Sequence, residues 1–172
     1  MMNTKSVMPT PSLRVVETQI SISELIGLRD DYKPSDYPWA VRFLGKFPIP
    51  SWQRKSVWTQ EQKVAVIKSA YEGFDIGSVM INDWHEVGGK LADFSDALID
   101  GQQRVEAFIE YVNDKFTVCG YYWSQLNRND QRRFLYRQIG CQKIFCFDET
   151  KLKKLYNIHN FSGTRHLLTE RA

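Results

Sequence analysis

Three features of the sequence predict an α+β fold with a small mixed sheet and packed helices. Hydrophobic periods of both helical and strand type occur, in separate segments. They follow one another without the regular strand–helix alternation of a parallel α/β sheet. The length of 172 residues, with 42% apolar and 25% charged, suits one globular domain rather than a disordered chain or a coiled coil. No apolar run approaches the ~18 residues of a membrane span. The N-terminus lacks the charged-then-apolar pattern of a secretory signal, so a cytoplasmic protein without membrane contact is expected. Cys119, Cys141 and Cys146 form no C-x-x-C pair. Reduced thiols packed as small hydrophobes are therefore expected, not a disulfide or zinc framework. A net charge of +3 neither demands nor excludes nucleic acid.

Met1 to Ser12 carries two prolines and many small polar residues, and reads as a flexible tail before a domain over residues 13–172. Leu13 to Ile22, with Val15, Val16, Thr18 and Ile20, suits a strand. Ser23 to Arg29 suits a short helix with Ser23 as N-cap. Asp30 to Pro38 reads as a loop, and Trp39 to Phe43 as a short strand before turn residues Gly45, Pro48 and Pro50. The clearest helix starts at Thr59, which has capping-box spacing to Gln62. Val64, Ile67, Ala70 and Tyr71 then recur at helical spacing, and Gly73 ends the helix. Ser78 to Ile81 reads as a strand, residues 85–93 as a hairpin or loop around Gly88 and Gly89, and Ala97 to Ile99 as a buried strand. A helix follows Gly101, with Val105, Phe108, Ile109 and Val112 on one face. Ser124 to Gln138 is polar and helical in character, and Ile144 to Phe147 reads as a strand. Thr150 to Ile158 is a helix, and Asn160 to Ala172 a loop with at most one helical turn.

The segment Leu98-Ile99-Asp100-Gly101-Gln102-Gln103-Arg104-Val105 carries the chemistry. An apolar strand ends in an acid, turns through Gly101 and enters an amphipathic helix. Free N–H groups at that helix start, with the helix dipole, form a site for anions such as phosphate. Gly101 is expected to let the backbone approach the ligand closely. Gln102 and Gln103 add amide donors, and Arg104 a planar fork for two phosphate oxygens. Asp100 stands where a carboxylate would hold Mg²⁺ against those phosphates. An Asp-Gly turn followed by a solvated arginine is the plainer alternative.

The Asp100-Gly101-Gln102-Gln103-Arg104 motif resembles the DGQQR signature of the GmrSD-type family, whose N-terminal domains belong to the ParB/sulfiredoxin-like superfamily. Gly101-x-x-Arg104-x-x-Ala107 also resembles the ParB nucleotide-binding box. Upstream, Pro50-Ser51-Trp52-Gln53-Arg54 through Trp58 is similar to the family's opening pattern. Tyr71 to Ser78 resembles its helix end and entry to the next strand. Leu155 to Thr164 resembles a late segment in which a helix ends in Asn and a Gly-rich turn. The resemblance covers roughly residues 48 to 170.

The resemblance implies a ParB/sulfiredoxin-like domain that binds nucleotide phosphates, in a family whose relatives hydrolyse NTPs and join systems that restrict modified or foreign DNA. Carried over, the nucleotide site comprises Gln53, Arg54, Gly101, Gln102, Gln103, Arg104 and Asn160. The catalytic set is Asp100, which holds Mg²⁺, Arg104, which neutralises charge on the transferred phosphoryl group, and Gln103 (or Gln102), which orients water. Of Trp52 and Trp58, at least one is expected in the core and the other beside a base. His159 and His166 flank the late turn. None of His85, His159 and His166 stands in an H-x-x-P or H-E-x-x-H setting, so the His-based nuclease motif of longer family members is not expected here.

Arg128, Arg132, Arg133 and Arg137 cluster in a helical stretch just after Tyr121, Tyr122 and Trp123. Spacings of four put 128 with 132 and 133 with 137 on shared faces. Basic and aromatic neighbours suit DNA, and a solvated helix face is the alternative. Two function classes follow. One is a Mg²⁺-dependent NTP phosphohydrolase acting on DNA in restriction or in phage or plasmid conflict with a host. The other is a regulatory module that binds nucleotide or DNA without turnover and acts through a protein partner.

Overall fold

The computed structural model describes Met8 and residues 11–27 and 33–161. The expected N-terminal tail therefore lies almost wholly outside the described residues, as do His166 and the chain after Phe161. The architecture is α+β. Strand β1 (Arg14–Ser21) leads into helix α1 (Ile22–Ile26), and strands β2 (Ala40–Leu44) and β3 (Phe47–Pro50) form a hairpin. Helix α2 (Gln60–Glu72) and strand β4 (Ser78–Asn82) follow, then a small hairpin of β5 (Glu86–Val87) and β6 (Lys90–Leu91). Strand β7 (Leu98–Asp100) runs into helix α3 (Gln102–Val112), and helix α4 (Arg128–Leu135), strand β8 (Gln138–Phe145) and helix α5 (Glu149–Phe161) complete the fold.

Local signals account for most boundaries. Thr59 caps α2: its hydroxyl accepts from Gln62 N and the Gln62 side chain accepts from Thr59 N, while Gly73 closes the helix in the left-handed region. At α1 the N-cap is Ser21, not Ser23. Ser21 Oγ accepts from Glu24 N at 3.2 Å and Glu24 Oε2 accepts from Ser21 N at 2.9 Å. The acid three residues on decides the cap, because it completes the reciprocal pair that Ser23 cannot make. Pro48 and Pro50, expected in a turn, stand in β3. A two-stranded ribbon leaves one side of each strand unpaired, and a residue without N–H fits there. The last strand begins at Gln138, not Ile144, so the helical stretch before it stops at Leu135. Asn160 lies in α5 rather than in a loop.

The main sheet has the order β1-β8-β4-β7 and is mixed: β4 runs parallel to β8, while β1 and β7 are antiparallel to their neighbours. Each face buries its own cluster, because side chains alternate along a strand. Val79, Ile81, Leu98, Ile139 and Cys141 meet Leu25, Ile67, Val105, Phe108 and Phe134 from helices α1–α4. Met80, Ile99 and Ile144 meet Leu152 and Tyr156 of α5. Asn82, fully buried, donates to the Phe94 and Cys146 carbonyls and accepts from Cys146 N, so its amide is satisfied. The cysteines are free, Cys141 and Cys146 buried and Cys119 exposed. No helix among the described residues is long and apolar enough to cross a membrane.

Candidate functional site

The β7–α3 connection sits under the segment that joins β3 to α2 and beside the last turns of α5. A pocket of about 210 Å³ opens in this corner. Its walls include Gln53, Arg54, Trp58, Asp100, Gly101, Gln102, Gln103, Arg104, Tyr156 and Asn160. The structure thus gathers residues 53, 54, 100–104 and 160, which are far apart in sequence, at one helix start.

Gly101 does a different task from the one its motif position suggested. Its φ of +94° lies in the left-handed region, and a Cβ there would come within 2.6 Å of Val79 Cγ1. The missing side chain lets the turn pack on β4; the close approach is to the protein's own core, not to a ligand. As N-cap of α3, Gly101 also brings no side chain to cap the first-turn N–H groups, and the first turn holds no acid. Those donors and the positive end of the dipole stand at a pocket that the Asp100 carboxylate also lines.

Gln103 is a staple. Its Oε1 accepts from Ser56 Oγ at 2.6 Å and from the N–H groups of Val57 and Trp58 at 3.0 Å each. This holds residues 56–58 across the helix start and shapes the wall that carries Arg54. Three donors already fill its one acceptor atom, so an attacking water would have only its Nε2 to meet. Gln103→Leu is expected to destabilise the fold by about 1–3 kcal/mol and to speed trypsin cleavage after Arg54 and Lys55. Unchanged urea unfolding and proteolysis would refute the staple.

Gln102 is held in a particular orientation by a residue that the sequence did not single out. Arg42 of β2 donates to Gln102 Oε1 at 2.9 Å and to the Arg54 carbonyl at 3.0 Å. A guanidinium only donates, so the amide must turn its oxygen to Arg42 and its nitrogen away. That Nε2 is buried without a hydrogen-bond partner among the described residues, on a side chain only 8% exposed. An orphan donor at an uncapped helix start calls for an acceptor. No periodicity or motif marks Arg42; only the β2–α3 packing brings it to residue 102.

Arg104 was expected as a free phosphate fork, and the structure spends much of it internally. Its guanidinium donates to the Ser78 carbonyl, lies 3.7 Å from Asp100 Oδ2, and packs on Gly77, where a Cβ would come 3.2 Å from Cζ. Burial pulls its pKa below the usual guanidinium range, against the pull of Asp100 and Asp75. Asp100 keeps 31% of its side chain exposed at the pocket, with Arg104 as its one ion-pair partner among the described residues. Gln53, 6% exposed, donates to the Leu98 carbonyl at 2.7 Å, so it covers the outer edge of β7 as well as lining the pocket. Arg54 is exposed, and its guanidinium makes no hydrogen bond or ion pair among the described residues. It is the exposed cation of the site.

The aromatic expectation divides cleanly. Trp52 packs edge-on against Tyr156 at 5.4 Å in the second core cluster, and Trp58 lines the pocket. Asn160 reaches the pocket wall while its Nδ2 donates to the Tyr156 carbonyl one turn back. His159 is exposed on α5, and His85 packs against Phe145 and Phe147.

The four arginines do not form one face. Helix α4 stops at Leu135, so Arg137 does not share a helical face with Arg133. Arg137 instead donates to the Gly73 and Phe74 carbonyls, where it caps the C-terminus of α2. Arg133 pairs with Asp130 at 3.5 Å and lies 5.3 Å over the Tyr71 ring. Arg128 and Arg132 are exposed, without a partner among the described residues.

Comparison with known proteins adds one finding. The family model described as GmrSD restriction endonuclease, N-terminal domain, matches residues 40–169. No curated protein and no solved structure matches the chain.

Proposed function

The chain belongs to the family of GmrSD restriction endonuclease N-terminal domains, and from that membership we propose that it binds a nucleoside triphosphate by its phosphates at the start of α3 and hydrolyses it with Mg²⁺, in the service of DNA restriction. The ParB/sulfiredoxin-like reading of the domain and its DGQQR motif is part of this proposal. The observation that carries it is the orphan Nε2 of Gln102, aimed by Arg42 at an uncapped helix start.

A phosphate chain would take donors from the first-turn N–H groups and Gln102 Nε2, and the exposed Arg54 would pair with it from the rim. A pocket of about 210 Å³ suits the phosphates, with the base outward near Trp58. The metal fits only together with the nucleotide. Asp100 is one accessible carboxylate, and no cluster of three or more His, Cys, Asp or Glu among the described residues is grouped around a metal position. Mg²⁺ is commonly held in that way, by one or two carboxylates plus phosphate oxygens and waters. Bound there, it would neutralise charge on the phosphates; Arg54 and Arg104, which also line the pocket, would add to that. Water's oxygen would bond to the terminal phosphorus as the bond to the leaving diphosphate oxygen breaks, with the water's proton passing to a phosphate oxygen and on to solvent.

Phosphate release from NTP by the purified protein tests this. Wild type is expected to turn over only with Mg²⁺, and Asp100→Asn to fall at least about 100-fold, within the range for loss of one electrostatic contact to a transferring phosphoryl group. The saturated oxygen of Gln103 favours a second reading, binding without turnover. A nucleotide at 100 times its Kd that adds about 2.7 kcal/mol of stability, with no phosphate released, would select that reading and a protein partner as its outlet.

A further inference from the structure

A cleft of about 470 Å³ lies at the start of α5, on the border of the second core cluster. It shares no lining residue with the pocket at α3. Trp39, Trp52, Phe94 and Phe147 line it together with Asp93 and Glu149, and no lysine or arginine does. Independently of the nucleotide reading, we infer that it receives an arginine side chain from a basic segment of a partner protein.

The walls are aromatic and stand apart. Phe94 packs on Trp39 at 4.9 Å. Trp52 makes its ring contact with Tyr156 at 5.4 Å, and Phe147 with Phe145 at 4.8 Å and His85 at 5.3 Å. No other two of the four lining rings are in contact among the described residues, so the cleft lies between them. Trp39, Trp52 and Phe147 are only partly buried. Backbone strain sets the Phe94 ring: its φ is +65°, in a left-handed region that a bulky L-residue rarely enters. Fully buried Asn82 holds it there by donating to the Phe94 carbonyl at 2.8 Å. Such strain persists only where the surroundings enforce it, and it collects at ligand clamps.

Aromatic faces beside carboxylates select an organic cation. Asp93 is exposed and makes no hydrogen bond or ion pair among the described residues. Glu149 pairs with Lys153 at 3.1 Å, but both side chains are 47% exposed, and a solvated pair of that kind is weak enough to be exchanged. The choice among cations follows from donors and shape. A quaternary ammonium would meet the rings yet leave the carboxylates without a hydrogen bond, since it has no N–H. A lysine ammonium is compact and strongly hydrated. A guanidinium is flat, stacks on aromatic faces and donates from its edge to carboxylates. The Trp52 Nε1–H, buried beside the cleft with no acceptor among the described residues, favours a peptide over a free guanidinium, because a main-chain carbonyl would give it one.

Titration of the full chain with the blocked tripeptide acetyl-Gly-Arg-Gly-amide at low ionic strength tests this, followed by the indole N–H resonances. The same peptide with citrulline keeps the shape and loses the charge, and one with lysine keeps the charge and loses the plane. The arginine peptide is expected to bind at least about 10-fold more tightly than the citrulline one, and more tightly than the lysine one. Asp93→Asn, at an exposed position that leaves the fold intact, should remove most of the preference over citrulline; Trp39→Leu is the second variant. Equal affinity for arginine and citrulline, equal affinity for arginine and lysine, no binding by wild type, or a preference that survives both variants overturns the assignment. Asp100→Asn, in the other pocket, should leave the preference intact. Failure of nucleotide hydrolysis is thereby separated from failure of arginine capture.

Discussion

Gly101→Ala is expected to lower stability by about 2–5 kcal/mol. The φ of +94° costs an L-residue with a Cβ about 1–2 kcal/mol. The new Cβ would also stand 2.6 Å from Val79 Cγ1 and 3.2 Å from Val79 Cα. Val79 is fully buried in β4, the second strand from the β7 edge and bonded on both sides, so it has little room to retreat. Overpacking of this kind costs about 1–3 kcal/mol. Against a total of about 5–15 kcal/mol the loss is large. The midpoint of urea unfolding should fall sharply while its slope stays unchanged. Gly101→Asn separates the causes: asparagine tolerates the left-handed region yet keeps the clash, so it should destabilise nearly as much. A variant within 0.5 kcal/mol of wild type, on the same order as a neutral surface change, would show that the turn is not packed as described.

Gln102→Glu is expected to act on binding and spare the fold. Glutamate keeps an acceptor for Arg42, now charged, so the β2–α3 link persists or strengthens. The buried orphan donor beside the pocket becomes an anionic oxygen. A hydrogen bond to a charged group contributes about 1.5–3 kcal/mol, and like charge adds to the loss, so nucleotide affinity should fall by at least about 10- to 100-fold. The melting temperature should stay near that of wild type. Titration calorimetry reads the first effect and differential scanning calorimetry the second. Arg42→Ala gives the converse: the glutamine remains but its amide can rotate, so affinity should fall less steeply than with glutamate. If Gln102→Glu binds nucleotide as well as wild type does, the orphan donor is not the recognition group and the phosphate site loses its main support.

The element order was legible because its signals are local. The Thr59–Gln62 box and Gly73 bound α2 where expected, and apolar runs marked β4 and β7. The failures have local competitors that tertiary contacts overruled. Ser23 and Ser21 are equally good cap residues in isolation; the acid at position 24 and the end of β1 choose between them. Pro48 and Pro50 are turn formers unless a hairpin edge leaves their missing donors unneeded. In the arginine cluster, spacing predicted shared faces, but the carbonyls at the end of α2 draw Arg137 away and end the pattern.

Beyond the family resemblance that named residues 53, 54 and 160, chain order alone determined the α+β class and the strand–turn–helix at residues 98–112. These follow from hydrophobic period, turn chemistry and residue type, which act over a few positions. Tertiary structure decided what each side chain does. It consumed the oxygen of Gln103 on residues 56–58, turned Arg104 to Ser78, placed Gly101 against Val79, and brought Arg42 to aim Gln102. A polar side chain has few bonding atoms, and which partner takes them depends on distances between segments up to 60 residues apart. Residue type and spacing along the chain do not encode those distances; packing does.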